Sequence, residues 1–93
     1  MAAVTVRLYG AFSEFASGAR RSTVEASSVG EALDAVATRF PRLRERLRDE
    51  HGRLREHVNV FANADEMRAL DGERTALRDG DVVHIIPAVS GGS

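Results

Sequence analysis

Cysteine, lysine and tryptophan are missing from the chain. Without cysteine there can be no disulfide, thiolate metal site, cysteine nucleophile or cysteine-bound iron–sulfur cluster. Without lysine, all thirteen basic residues are arginine, so copies of the chain cannot be joined to one another through lysine side chains. The codon bias of a GC-rich genome accounts for such a composition. Long apolar runs are lacking too, and none approaches the roughly 20 residues needed to cross a bilayer. Arg7 interrupts the apolar N-terminal stretch before it could act as a signal sequence. The expected compartment is therefore the cytosol. Neither charge dominates, since fourteen acids and thirteen arginines leave −1, so no nucleic-acid or membrane partner is expected.

Groups that could catalyse are equally scarce. His51, His57 and His84 are scattered, and no spacing brings a carboxylate pair beside them; each reads as an ordinary surface or sheet-face histidine. The serines lack the context of a nucleophile elbow, and there is no glycine-rich phosphate loop. The expectation is a chain that is not an enzyme and holds neither metal nor cofactor of its own.

What is present is enough for one domain with a modest core, placed at residues 1–89 with a tail at 90–93. Val4, Val6 and Leu8 alternate with Thr5, Arg7 and Tyr9, the mark of a half-buried strand. Gly10 ends it, and residues 11–20, with the Ser17-Gly18 turn signal, read as a wide hairpin loop. A short second strand follows over Ser22–Ala26, with Val24 inward.

Ser28 and Glu31 have the spacing of a helix capping box. Behind them Val29, Leu33, Val36, Ala37 and Phe40 form the clearest helical stripe, which Pro41 terminates. Leu43 and Leu47 suggest a second short helix ending near Gly52. The stretch from Pro41 to His57 carries six arginines against four acids, or +2. It could be a phosphate or nucleic-acid surface. No aromatic is interleaved for base stacking, however, which favours a solvated face whose arginines pair with the interleaved carboxylates.

Val58–Ala62 reads as a third strand, with a turn over 63–66 and a short fourth strand over Met67–Leu70. Asp79-Gly80 is another turn signal, leading into the strand from Val82 to Ile86, which should stop at Pro87. From Val58 onward the balance is −3. With the first and last strands parallel and central, the expected fold is α+β: a β-grasp, ubiquitin-like roll. It should have a mixed sheet of four to five strands and one main helix across one face. By alternation Tyr9 and Ile86 point away from that helix. Ser90, Gly91, Gly92 and Ser93 offer nothing to bury and are expected to be mobile in the free protein. Gly-Gly-Ser is also the composition of an artificial linker.

The segments VTVRLYGAFSEFA, VNVFANADEMRALDG and LRDGDVVHIIPAVSGG resemble the MoaD/ThiS family of ubiquitin-like sulfur carriers. The likeness covers nearly the whole chain. Its most specific parts are the acidic DGD turn, the apolar strand ending in proline, and Gly91-Gly92. The resemblance implies a substrate of other enzymes. A ubiquitin-activating-type adenylyltransferase would use ATP to adenylate the Gly92 carboxylate. A sulfur donor would then convert it to a thiocarboxylate for a downstream synthase subunit or other sulfur-accepting enzyme. Gly91, Ser90 and Val89 would form the thread behind it. Family carriers end at the glycine pair, whereas Ser93 follows here, so a processing metalloprotease would first remove it unless it is a remnant of cloning. Tyr9 and Ile86 occupy positions that resemble the family's contact surface, with Met67 expected to join them. Molybdopterin, cysteine and a specialised thio-metabolite are all open as destinations, and the Ile85-Ile86-Pro87-Ala88-Val89 ending looks most like the cysteine-type carrier. A ubiquitin-like modifier conjugated through Gly92 is the alternative, and a nucleic-acid binder using residues 42–55 is a third.

Overall fold

In a computed structural model, which describes residues 1–88, the alternating N-terminal segment forms β1 (Ala2–Leu8). It pairs antiparallel with β2 (Arg21–Ala26), Val4 opposite Val24 and Val6 opposite Ser22. Parallel to β1 on its other side lies β5 (Val82–Pro87), with Val6 opposite Val83 and Leu8 opposite Ile85. β3 (Val58–Ala62) then pairs antiparallel with β5, and β4 (Asp65–Glu66) with β3. The strand order is β2-β1-β5-β3-β4. Parallel neighbours require a long crossover, and the intervening chain supplies it with helices on one face. This is the expected β-grasp sheet, with the first and last strands in the middle.

Crossing one face is α2 (Val29–Arg39). Its start is fixed by Ser28, whose hydroxyl accepts the Glu31 N–H at 3.2 Å. The Glu31 carboxylate reaches back one residue further than in a standard capping box and accepts both the N–H and the hydroxyl of Ser27, each at 2.8 Å. Those hydrogen bonds, the N–H first, hold the exposed Glu31 carboxyl below its ordinary pKa. Val29, Leu33, Val36 and Ala37 are buried as the stripe requires, and Ala32 joins them; Phe40 is only half-buried at the helix end. The underside of the sheet contributes Val4, Val6, Val58, Val60, Val83 and Ile85. Each large side chain removed from water there contributes about 1.5–3 kcal/mol, which fixes the helix across the sheet.

Three segments depart from the sequence expectation. The stretch after Gly10 is not simply a loop: α1 (Ala11–Glu14) forms there, because Phe12 and Ala16, four apart, both turn into the core. The second short helix, α3 (Pro41–Leu47), has Pro41 in its first turn and ends at Leu47, well before Gly52. Arg48 is already extended and bridges to Leu54, while the Asp49 carboxylate accepts the N–H groups of His51 and Arg53 and closes a tight turn. Met67–Leu70 is not a strand. Asn63, at φ 56°, reverses the chain early, so the return strand is Asp65–Glu66. Met67–Ala69 then coils into a 3₁₀ turn capped by the Glu66 carboxylate. Another 3₁₀ turn spans Gly72–Arg74. Among the described residues no helix is long and apolar enough to cross a membrane.

Candidate functional site

Period-two alternation leaves the upper face of the sheet without helices. Arg7 on β1, Phe61 on β3 and His84 on β5 are register neighbours across it, since Arg7 and Phe61 both lie opposite His84. Asn59 and Ile86 are opposite one another one step nearer the C-terminal end of β5. Tyr9 extends the β1 row, and its N–H donates to the Ile85 carbonyl at 3.2 Å. Tyr9, Phe61, His84 and Ile86 are all half-buried. An apolar and aromatic cluster on an otherwise uncovered sheet is a marker of a docking surface.

The cluster is tied together by specific contacts. The Tyr9 hydroxyl and His84 Nδ1 share a hydrogen bond at 2.7 Å, with the ring centroids 5.7 Å apart. The Arg7 guanidinium lies 5.8 Å from the centre of the Tyr9 ring. Burial first, and the Arg7 charge second, hold the His84 pKa below its ordinary value of 6.5. At neutral pH His84 therefore stays uncharged and presents a flat, weakly polar ring beside Tyr9.

Where β5 ends, the chain is gripped. A Cβ on Gly10 would come within 3.1 Å of Pro87 Cγ, and Gly10 itself has φ 57°. Only glycine allows β1 to turn this close to the departing strand. Pro87 lies opposite Val58, and the Ala88 N–H donates to the His57 carbonyl at 2.7 Å. The His57 ring stacks on Phe12 with centroids 6.4 Å apart. α1, β1 and the start of β3 thus fix the point from which the C-terminal segment leaves.

Of the residues singled out in the sequence, Tyr9 and Ile86 stand together on the open face. Met67 does not join them. Only 6% exposed, it packs in the core, because the 3₁₀ turn rotates its side chain beneath the sheet edge. Val89, Ser90, Gly91, Gly92 and Ser93 lie outside the described residues. Sequence reading did not single out Arg7, Phe61 or His84 as part of the Tyr9–Ile86 surface, although the alternation of each strand places them on that face.

In the arginine-rich stretch Arg42, Arg44, Arg46 and Arg53 are exposed, as a solvated face requires, but among the described residues none of them makes a salt bridge. Arg48 is the clamp: its Nη2 donates to Glu73 Oε1 at 2.6 Å, its Nε to Asp34 Oδ1 at 3.1 Å and its Nη1 to the Gly52 carbonyl at 3.0 Å. The Glu73 hydrogen bond is the leading cause of its raised pKa. Its carboxylate partners come from α2 and the second 3₁₀ turn, not from the interleaved acids. Arg46 and Arg42 lie over the Phe15 ring at 4.3 and 5.9 Å. The stretch thus braces α3 against its neighbours.

The face thus offers a half-buried apolar and aromatic surface, Tyr9, Phe61, His84 and Ile86, beside the point where β5 ends. The profile of the ThiS family matches residues 6–92. Small archaeal modifier protein 3 of Haloferax volcanii is 42% identical over 66 residues, 71% of each chain. Sulfur carrier protein CysO of Mycobacterium tuberculosis is 32% identical over 77 residues, covering 81% of this chain and 83% of that one. A chain in the crystal structure of the Amycolatopsis orientalis BexX/CysO complex superposes with a TM-score of 0.84 at 30% identity, over 96% of this chain and 99% of that one.

Proposed function

The chain belongs to the ThiS family, and on that premise we propose that it is a sulfur carrier working through the main-chain carboxyl group of Gly92. The reading is carried by one observation: the family match runs through Gly91 to Gly92, and a relative named as a sulfur carrier aligns over 81% of the chain. The protein is then a substrate of its partners and not itself a catalyst, and it works in the cytosol.

A free α-carboxylate, with a pKa of about 3.3–3.7, is ionised in the cell and resists attack by nucleophiles. The peptide bond to Ser93 is first hydrolysed by a processing metalloprotease, which frees the Gly92 carboxylate. That carboxylate attacks the α-phosphorus of ATP on an activating enzyme, and pyrophosphate leaves. A sulfur donor at the oxidation level of hydrosulfide then adds to the acyl carbon and AMP departs with its oxygen, leaving a thiocarboxylate. The carrier needs no cofactor of its own, because ATP is bound by the partner. Gly91 and Gly92 lack Cβ atoms and so fit a narrow active-site channel; Ser90 and Val89 lead into it. Tyr9, Phe61, His84 and Ile86 form the surface on which the activating enzyme and the downstream sulfur-accepting enzyme dock. Cysteine synthesis is the destination favoured by the likeness to CysO.

A second reading has its own support, since a relative with 42% identity is named a modifier protein. Both roles share the adenylated Gly92. They differ in whether hydrosulfide or a lysine amine of another protein attacks it. Incubating the form ending at Gly92 with an activating enzyme, ATP and sulfide should raise its intact mass by the difference between one sulfur and one oxygen. If the mass stays fixed while Gly92-dependent conjugates accumulate in cell extract, the carrier reading fails and the modifier reading replaces it.

A further inference from the structure

β2 is an edge strand: it pairs with β1 and, among the described residues, no strand follows it in the sheet. The phase of its hydrogen bonding is fixed, because the Leu8 N–H donates to the Arg20 carbonyl at 2.9 Å. In an antiparallel ladder, alternate residues face the neighbour. Ser22, Val24 and Ala26 therefore bond toward β1, while Arg21, Thr23 and Glu25 direct their N–H and C=O groups away from the sheet. Such a row is a template for another strand.

The near end of this edge is strongly positive. Arg21 lies directly opposite Arg7 in the closer, non-hydrogen-bonded kind of pair. Like charges placed there repel one another. Arg20 adjoins them, and behind the edge Arg39 donates from Nη1 to the Ser22 hydroxyl at 3.2 Å. Among the described residues none of these four arginines makes a salt bridge; Arg48 makes both that are found. Arg21, Thr23, Arg39, Ala19 and Phe40 line a cleft of about 570 Å³ that wraps this edge. Charged residues often protect an exposed edge from aggregation. Arg21 and Arg39 line the cleft, and Arg7 and Arg20 adjoin Arg21, across the sheet and along the chain, a concentration of one sign that selects a partner as well.

We propose that the outer edge of β2 takes up an extended acidic peptide of a partner protein as an added strand. The peptide backbone pairs with Arg21, Thr23 and Glu25, and its carboxylates lie against Arg7, Arg20, Arg21 and Arg39. Strand addition of this type takes affinity from main-chain hydrogen bonds and selectivity from flanking side chains. A carboxylate seated between Arg7 and Arg21 relieves the repulsion that the free protein carries. This surface lies at the opposite side of the sheet from β3 and does not depend on transfer chemistry at Gly92.

The probe is a capped synthetic peptide of four alternating valines and isoleucines followed by four aspartates, titrated into the ¹⁵N-labelled full chain. Shifts and slowed hydrogen exchange at the Arg21, Thr23 and Glu25 amides are expected. Binding should weaken by at least roughly tenfold in an Arg21→Glu/Arg39→Glu double variant, as loss of two charge-assisted contacts implies. Should that variant lose its dispersed spectrum, Arg21→Gln/Arg39→Gln, which keeps a donor toward Ser22, should weaken binding in the same direction. Ile86→Ala should leave the affinity unchanged. The proposal is overturned by shifts centred on His84 or α3, by equal binding of a peptide with lysines in place of aspartates, by a dimer formed through β2, or by no binding at millimolar peptide.

Discussion

The two faces of the sheet are made by the same strands, often by adjacent residues, yet they do opposite things. Ile85 is fully buried beneath α2, whereas Ile86, the next residue, stands half-buried on the open side beside Asn59. Val83 and His84 divide the same way. Alternation thus separates burial in the core from presentation on the open face at a spacing of one residue. Along β5 a one-residue slip would exchange the two roles at once. The pairing with β1 and β3 on both sides prevents it.

The largest expected effect tests that division directly. Ile85→Ala should cost about 2–5 kcal/mol in urea denaturation, while Ile86→Ala should cost under about 1 kcal/mol and instead slow thiocarboxylate formation with the activating enzyme. Equal losses of stability would mean that the open face is structural too. The charged residues should split in the same manner. Arg48→Met removes the hydrogen bonds to Asp34, Glu73 and the Gly52 carbonyl, and about 1.5–3 kcal/mol should go with them. Arg7→Met, on the open face, should stay within about 0.5 kcal/mol, because it also relieves repulsion with Arg21.

A smaller effect concerns pH. His84 has its pKa lowered in the folded chain, so the unfolded chain binds the proton more readily. Folding stability should therefore be unaffected by this group above its ordinary value of 6.5. It should decline as pH falls below that value, levelling off once the folded protein is protonated as well. In His84→Gln the denaturation midpoint should be flatter through this window. An unchanged slope would mean that the ring is not held neutral by its surroundings. Glu31 and Asp49 titrate lower but with the same sense: their lowered pKa values stabilise above the ordinary carboxylate range, and that contribution is lost as pH falls through the folded values.

Most of the sheet was legible because strand alternation is a local signal. Val4, Val6 and Leu8 announced β1, and the stripe from Val29 to Ala37 announced α2. Tyr9 and Ile86 followed from the same alternation. What escaped was decided by contacts distant in sequence. Phe12 and Ala16 form a helical pair only because the sheet end offers a place to bury them. Arg48 looked like one charge in a run, and nothing local said that Asp34 and Glu73 would converge on it. Met67 was misplaced because a left-handed Asn63 advanced the chain reversal by two residues, and no propensity distinguishes that turn from a longer one.

β5 is the strand that carries the C-terminal segment, and it is laced to β1 on one side and β3 on the other. Because β1 runs parallel to it, tension applied between the chain's two ends loads that ladder in shear, so several hydrogen bonds must fail together and not one after another. Such tension meets the most resistant geometry that the sheet can offer.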